Sequence, residues 1–176
     1  MLEIEKLLKD LSTIRPSFKD ENDFKIELAS LIKNTYKEKV TVCTEFCPIF
    51  EPNIAIDILV IMDNKWYPIE LKYKKKEYII DENGSVKKKN PGGYKVNHQR
   101  YFKDIERIKK FKSQENKYGN DFTFGNGYAI FLTNDGFYYG NATNKGSLSK
   151  NIIEGSWYYY SNDNNEDIFK YIINKI

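Results

Sequence analysis

IDILVIMDNKWYPIELKY, residues Ile56–Tyr73, holds two apolar runs around a turn. Residues 54–62 are apolar except for Asp57, and Asp63-Asn64-Lys65 interrupts them. The second run, Trp66 to Tyr73, is broken only by Glu70 and Lys72. Side chains alternate faces along a strand, so Glu70 and Lys72 share one face and Ile69, Leu71 and Tyr73 the other. If Asp63-Asn64 is a two-residue hairpin loop, Met62 pairs with Lys65. Counting back along both strands then sets Asp57 opposite Glu70, with Lys72 one diagonal step away. A three-residue loop would instead set Asp57 opposite Leu71, on the wrong face.

Two directly opposed carboxylates repel and destabilise an ordinary sheet. A divalent cation removes the conflict. Mg²⁺ is commonly held by one or two carboxylates plus waters and substrate phosphate oxygens. Lys72 could orient or activate a water or offset developing charge, which completes the equipment for metal-assisted phosphodiester hydrolysis. The other reading of these residues is a polar hairpin face closed by a salt bridge. The apolar residues around them favour a central, covered sheet.

At these positions the chain resembles the PD-(D/E)XK nuclease superfamily, whose core motif is an Asp on one strand followed by (D/E)-x-K on the next. Asp57 matches the first element and Glu70-Leu71-Lys72 the second; Ile56 stands where a Pro is usual. The resemblance implies a restriction-endonuclease-like α/β fold with a three-layer core. It implies that Asp57 and Glu70 bind Mg²⁺ or Mn²⁺, with the Leu71 carbonyl as a further ligand, and that Lys72 orients or activates water.

Composition is compatible with this. The 176 residues suffice for one domain with a sizeable core. Charged residues make up 30% of the chain but the net charge is only +3, so any polyanion-binding surface is local. Cys43 and Cys47 form no disulfide framework, and with a single His they make a poor zinc site. The start, MLEIEKLLKDL, does not read as a signal peptide, and no apolar run reaches membrane-spanning length. The expectation is a cytoplasmic protein with reduced thiols.

Along the chain, residues 2–12 read as an amphipathic helix ended by Pro16. Ser17-Phe18-Lys19-Asp20 resembles a capping box opening a second helix to about Tyr36, with Phe24, Leu28, Leu31 and Ile32 as its apolar stripe. Glu27 lies at the edge of that stripe. In the resembled fold a Glu on the first core helix faces the metal, so Glu27 is expected to join the site, through water. Its other reading is a helix-edge residue paired with Lys33 or Lys37. Val40–Thr44 reads as the first strand.

After Tyr73 come Lys74-Lys75-Lys76, an Asn83-Gly84 turn signal and Lys87-Lys88-Lys89. These predict an inserted basic hairpin at about residues 77–90. It either grips phosphates through Lys87, Lys88 and Lys89 or is a solvated face. Residues 97–113 read as a helix with Tyr101, Ile105 and Ile108 on one side and Lys103, Arg107 and Lys110 on another. Arg100, Tyr101, Phe102, Asp104, Ile105 and Arg107 also fit a helix pattern found in a subset of the resembled superfamily. Gln99 and Arg100, at the helix start, are placed to reach the site and a scissile phosphate, while Asp104 and Arg107, at i,i+3 spacing, are expected to pair only with each other. His98 reads as a surface or capping residue. Tyr128–Thr133 reads as a buried parallel strand, Phe137-Tyr138-Tyr139 as the start of another, Trp157–Tyr160 as an edge strand and Ile168–Ile176 as a closing helix.

The expectation is thus a single α/β domain over residues 1–176, with a mixed four- to five-stranded sheet flanked by helices. Its expected function is metal-dependent hydrolysis of nucleic acid, DNA in preference to RNA. Alternatives are a catalytically silent nucleic-acid- or protein-binding module, or a homodimeric junction resolvase or restriction-type endonuclease.

Overall fold

The alternation along Ile56–Met62 (β2) splits the core in two. Ile58, Val60 and Met62 face one side with Ile69, Leu71 and Tyr73, while Leu59 faces the other with Ala129 and Phe131. A sheet apolar on both faces must be covered on both. In the computed structural model, which describes residues 1–49, 52, 54–76, 78–80, 86–88, 93–115, 117, 122–140, 152–162 and 168–176, it is. The helices α1 (Ile4–Ile14) and α2 (Glu21–Tyr36) supply Leu7, Leu8, Leu11, Phe24, Leu28 and Ile32 to the first face. The helix α3 (Tyr94–Lys112) supplies Tyr101, Ile105, Ile108 and Phe111 to the second.

The chain is mixed α/β, with a seven-stranded mixed sheet. Its strands are β1 (Val40–Phe46), β2, β3 (Lys65–Lys74), β6 (Thr123–Phe124), β7 (Tyr128–Thr133), β8 (Tyr158–Asn162) and β9 (Ile168–Lys175). The order is β1-β2-β3-β7-β9-β8, with β6 beside the start of β3. β3 and β7 run parallel, joined through α3, and every residue of β7 is buried. The strands β4 (Tyr78–Ile80) and β5 (Val86–Lys88) form a separate antiparallel pair between β3 and α3 in sequence. The Asn83-Gly84 turn and Lys89 lie outside the described residues.

The β2–β3 register is the one the two-residue loop requires: Met62 opposes Lys65, Ile61 opposes Trp66 and Ile58 opposes Ile69. Asp63 and Asn64 have φ of 52° and 59°, both left-handed, as a type I′ turn demands.

Four expectations change. Among the described residues the sheet has seven strands, not four or five. Ile168–Lys175 is a strand, not a helix: β9 pairs with β7 on one edge and β8 on the other. Phe169 and Tyr171 go to the α1/α2 face and Ile172 to the α3 face. A short apolar run buried on both faces fits a strand as well as a helix, and only its neighbours decide. Phe137-Tyr138-Tyr139 is a turn, held by Phe137 N–H on Asp135 Oδ1 and Ile153 N–H on the Tyr138 carbonyl. The cap of α2 is Asp20, which accepts from Asp23 N–H at 2.9 Å, not Ser17. No described helix is long and apolar enough to cross a membrane.

Candidate functional site

The β2–β3 ladder stops at Ile58↔Ile69. Nearby, β1 carries Glu45 at a left-handed φ of 51°. Past that point the N–H groups of β3 meet carboxylates. Leu71 N–H donates to Asp57 Oδ2 at 2.8 Å, and Tyr73 N–H donates to Glu21 Oε2 at 3.0 Å. The site lies where the two strands stop pairing. There α2 reaches it with its first turn and α3 with its middle.

The Asp57 and Glu70 carboxyls lie close enough for the charge of one to act on the other. Two carboxylate oxygens meet only with a proton or a cation between them. Glu70 is the deeper group, its side chain 1% exposed against 22% for Asp57. Burial, then the Asp57 charge, pushes the Glu70 carboxyl up to about 9, against the lowering effect of Arg107. Burial also raises Asp57, opposed by the Leu71 N–H, Glu70 and Lys25. Lys25 Nζ lies 3.9 Å from Asp57 Oδ1 and also pairs with Glu45.

Lys72 Nζ is 2.8 Å from Glu21 Oε1. Glu21 thus holds both the ammonium of Lys72 and the next backbone N–H of the same strand. From α3, Arg107 Nη1 lies 2.8 Å from Glu70 Oε1 and 3.3 Å from Asp104 Oδ1. Its N–H groups are not aimed along the Glu70 contact, and Glu70 Oε1 has no hydrogen-bond partner. Asp104 is buried, with Oδ2 equally without one. Burial pushes Asp104 up to about 6, against the pull of Lys72 and Arg107.

Thus Asp57, Glu70 and Lys72 come together. Glu27 does not join them. Its carboxylate is held by Arg15 Nη1 at 2.6 Å, while Arg15 Nη2 holds Asp23 at 2.8 Å. The acid that α2 delivers is Glu21, and Lys25, one turn on, shares its face. Gln99 and Arg100 are exposed on the first half of α3. Arg100, Asp104 and Arg107 recur at helical spacing along one face. Lys87 and Lys88 belong to β5, and their side chains, like Lys89, fall outside the description. Sequence reading missed Glu21 and Lys25 and gave Asp104 and Arg107 only to each other. The available signal was the run of charged residues at the start of α2, which periodicity leaves without a target.

No group of three or more His, Cys, Asp and Glu side chains able to hold a metal ion occurs among the described residues. A pair of carboxylates still suits Mg²⁺ or Mn²⁺, whose other ligands are often waters and phosphate oxygens. Glu70 Oε1, buried and without a hydrogen bond though ion-paired with Arg107, fits such an ion. So does the Leu71 carbonyl, since the N–H and C=O of one strand residue leave by the same edge and its N–H already faces Asp57. Comparison with known protein families, with curated proteins and with solved structures returned no match.

Proposed function

We propose that this protein is a Mg²⁺- or Mn²⁺-dependent nuclease with a restriction-endonuclease-like core, hydrolysing phosphodiester bonds in DNA in preference to RNA. The observation that carries the reading is the meeting of the buried Asp57 and Glu70 carboxyls just past the last β2–β3 pair, Ile58 with Ile69, with Oε1 of Glu70 buried, ion-paired with Arg107 and without a hydrogen bond. Asp57, Glu70 and the Leu71 carbonyl would hold the ion. When bound, it would supply a Lewis acid for the phosphoryl group and lower the pKa of a coordinated water.

The chain's own groups do the rest. The Leu71 N–H fixes the rotamer of Asp57. Lys72, in an ion pair with Glu21, donates rather than accepts. It therefore orients the attacking water and offsets charge gathering on the phosphoryl oxygens. Water oxygen bonds to phosphorus as the water gives up a proton to bulk solvent, one P–O ester bond breaks, and the released alkoxide takes a proton from solvent. Arg100 and Lys103 on α3, with the lysines of the β4–β5 hairpin, provide cations for the phosphate backbone.

Incubation of plasmid and of single- and double-stranded oligonucleotides with Mg²⁺, Mn²⁺ or EDTA tests this. Metal-dependent cleavage that disappears in Asp57→Asn is the expected result. Tight nucleic-acid binding without cleavage in either metal would mean a binding module. RNA cut faster than DNA would reverse the substrate assignment.

A further inference from the structure

The proposed ligand Glu70 already has a cation on it. Arg107 Nη1 sits 2.8 Å from Glu70 Oε1, with 30% of the Arg107 side chain exposed. A buried carboxylate without a counter-charge is costly, so this contact supplies a counter-charge to Glu70 whenever it gives up its proton. Yet the contact is poorly made for a permanent structural pair. The guanidinium does not aim its N–H groups at Oε1, and it lies 3.3 Å from a second carboxylate, Asp104. That second acceptor is 8% exposed and has an oxygen, Oδ2, without a hydrogen bond. Asp104 and Arg107 are i,i+3 on α3, so the guanidinium can pass wholly to Asp104 by side-chain rotation, with no backbone movement. A divalent ion on Asp57 and Glu70 would compete with Arg107 for Oε1 and repel its charge.

We propose that Arg107 is a resident cation, which occupies Glu70 Oε1 until a divalent ion is taken up and then passes to Asp104, its second seat. This rests on the metal-site reading above. After the transfer Arg107 would lie along α3 on the face that carries Arg100, where a bound phosphate can reach both. Asp104 is then a positioning residue acting through Arg107, not a metal ligand.

Calorimetric titration with Mn²⁺ alone, without nucleic acid, separates the possibilities. Arg107→Gln removes the competitor and is expected to tighten Mn²⁺ binding by about fivefold, the size of a partly exposed charge–charge interaction. Asp104→Asn removes the second seat and should weaken it by a similar factor. In the double variant the Asp104→Asn loss should vanish, because no arginine remains to be reseated. Weaker binding in Arg107→Gln would make Arg107 a fixed support for Glu70 and overturn the proposal. A full Asp104→Asn loss in the double variant would make Asp104 a direct ligand and overturn it too. If Arg107→Gln does not fold, a Mn²⁺-soaked crystal of the unaltered protein decides. Arg107 on Asp104 and off Glu70 is expected, and Arg107 still on Glu70 beside a bound ion refutes the transfer. Absence of Mn²⁺ binding by the unaltered protein, or binding unaffected by Asp57→Asn, would instead sink the metal site itself and this inference with it.

Discussion

Glu21, in the first turn of α2, accepts both the Lys72 ammonium and the Tyr73 N–H, at 2.8 and 3.0 Å. One carboxylate therefore fixes a helix start to the strand that carries Glu70 and Lys72. Glu21→Gln keeps an acceptor for the backbone but loses the charge that orients Lys72. Removing the partner that orients a group at a metal site costs about 10–100-fold in activity. The loss is expected mainly in kcat, with a shifted pH–rate profile and little change in melting temperature. A loss confined to stability would reduce Glu21 to a structural clamp.

Glu27→Gln serves as the contrast. Its carboxylate is 33% exposed and pairs with Arg15, away from Asp57 and Glu70. The expected result is an unchanged metal titration and a stability change of about 0–1 kcal/mol. A weakened metal dependence would restore Glu27 to the site.

Asp57→Asn and Lys72→Ala should each lower cleavage by about 10²–10⁴-fold while circular dichroism stays unchanged. Wild-type cleavage by either variant would dismiss the site.

The proton on Glu70 links pH to stability. Its carboxyl goes from 4.5 in the unfolded chain to about 9 in the folded one. The folded state thus holds a proton that the unfolded state releases. Its stabilising contribution is full below about pH 4.5 and is lost as pH rises through 9. Asp104, raised from 3.8 to about 6, acts in the same direction over its own window. In EDTA, Glu70→Gln should gain in melting temperature relative to the unaltered protein as pH is raised from 4.5 to 9. Mg²⁺ at pH 8 should raise the melting temperature of the unaltered protein and not of the variant. Parallel melting curves across that range would show that Glu70 is not proton-bound.

Salt dependence of binding locates the nucleic-acid surface. Each duplex phosphate contact adds about −0.9 to the slope of log K against log salt. Replacing Lys87, Lys88 and Lys89 together with Gln should flatten the slope by roughly two to three units if they touch phosphates. Anisotropy measured with Ca²⁺ checks this. An unchanged slope, with flattening in Arg100→Gln/Lys103→Gln, would move the groove from the hairpin to α3.

The sequence alone offered the two-residue turn that sets Asp57 toward Glu70, and the left-handed φ angles of Asp63 and Asn64, with Met62 opposite Lys65, chose it over a three-residue loop. The sequence also determined β7 as a buried parallel strand, because its apolar run follows a helix with no polar alternation. Periodicity marks which residues share a face but not what that face meets. That is why Glu27, at the edge of the α2 stripe, could not be told from Glu21, and why Arg107 could not be given to Glu70. Ile168–Lys175 shows the same gap: its apolar residues fit either period, and only the open edges of β7 and β8 made them a strand. Tertiary structure decided these points because each depends on a partner distant in the chain, and charge and hydrogen-bond pairing act through space.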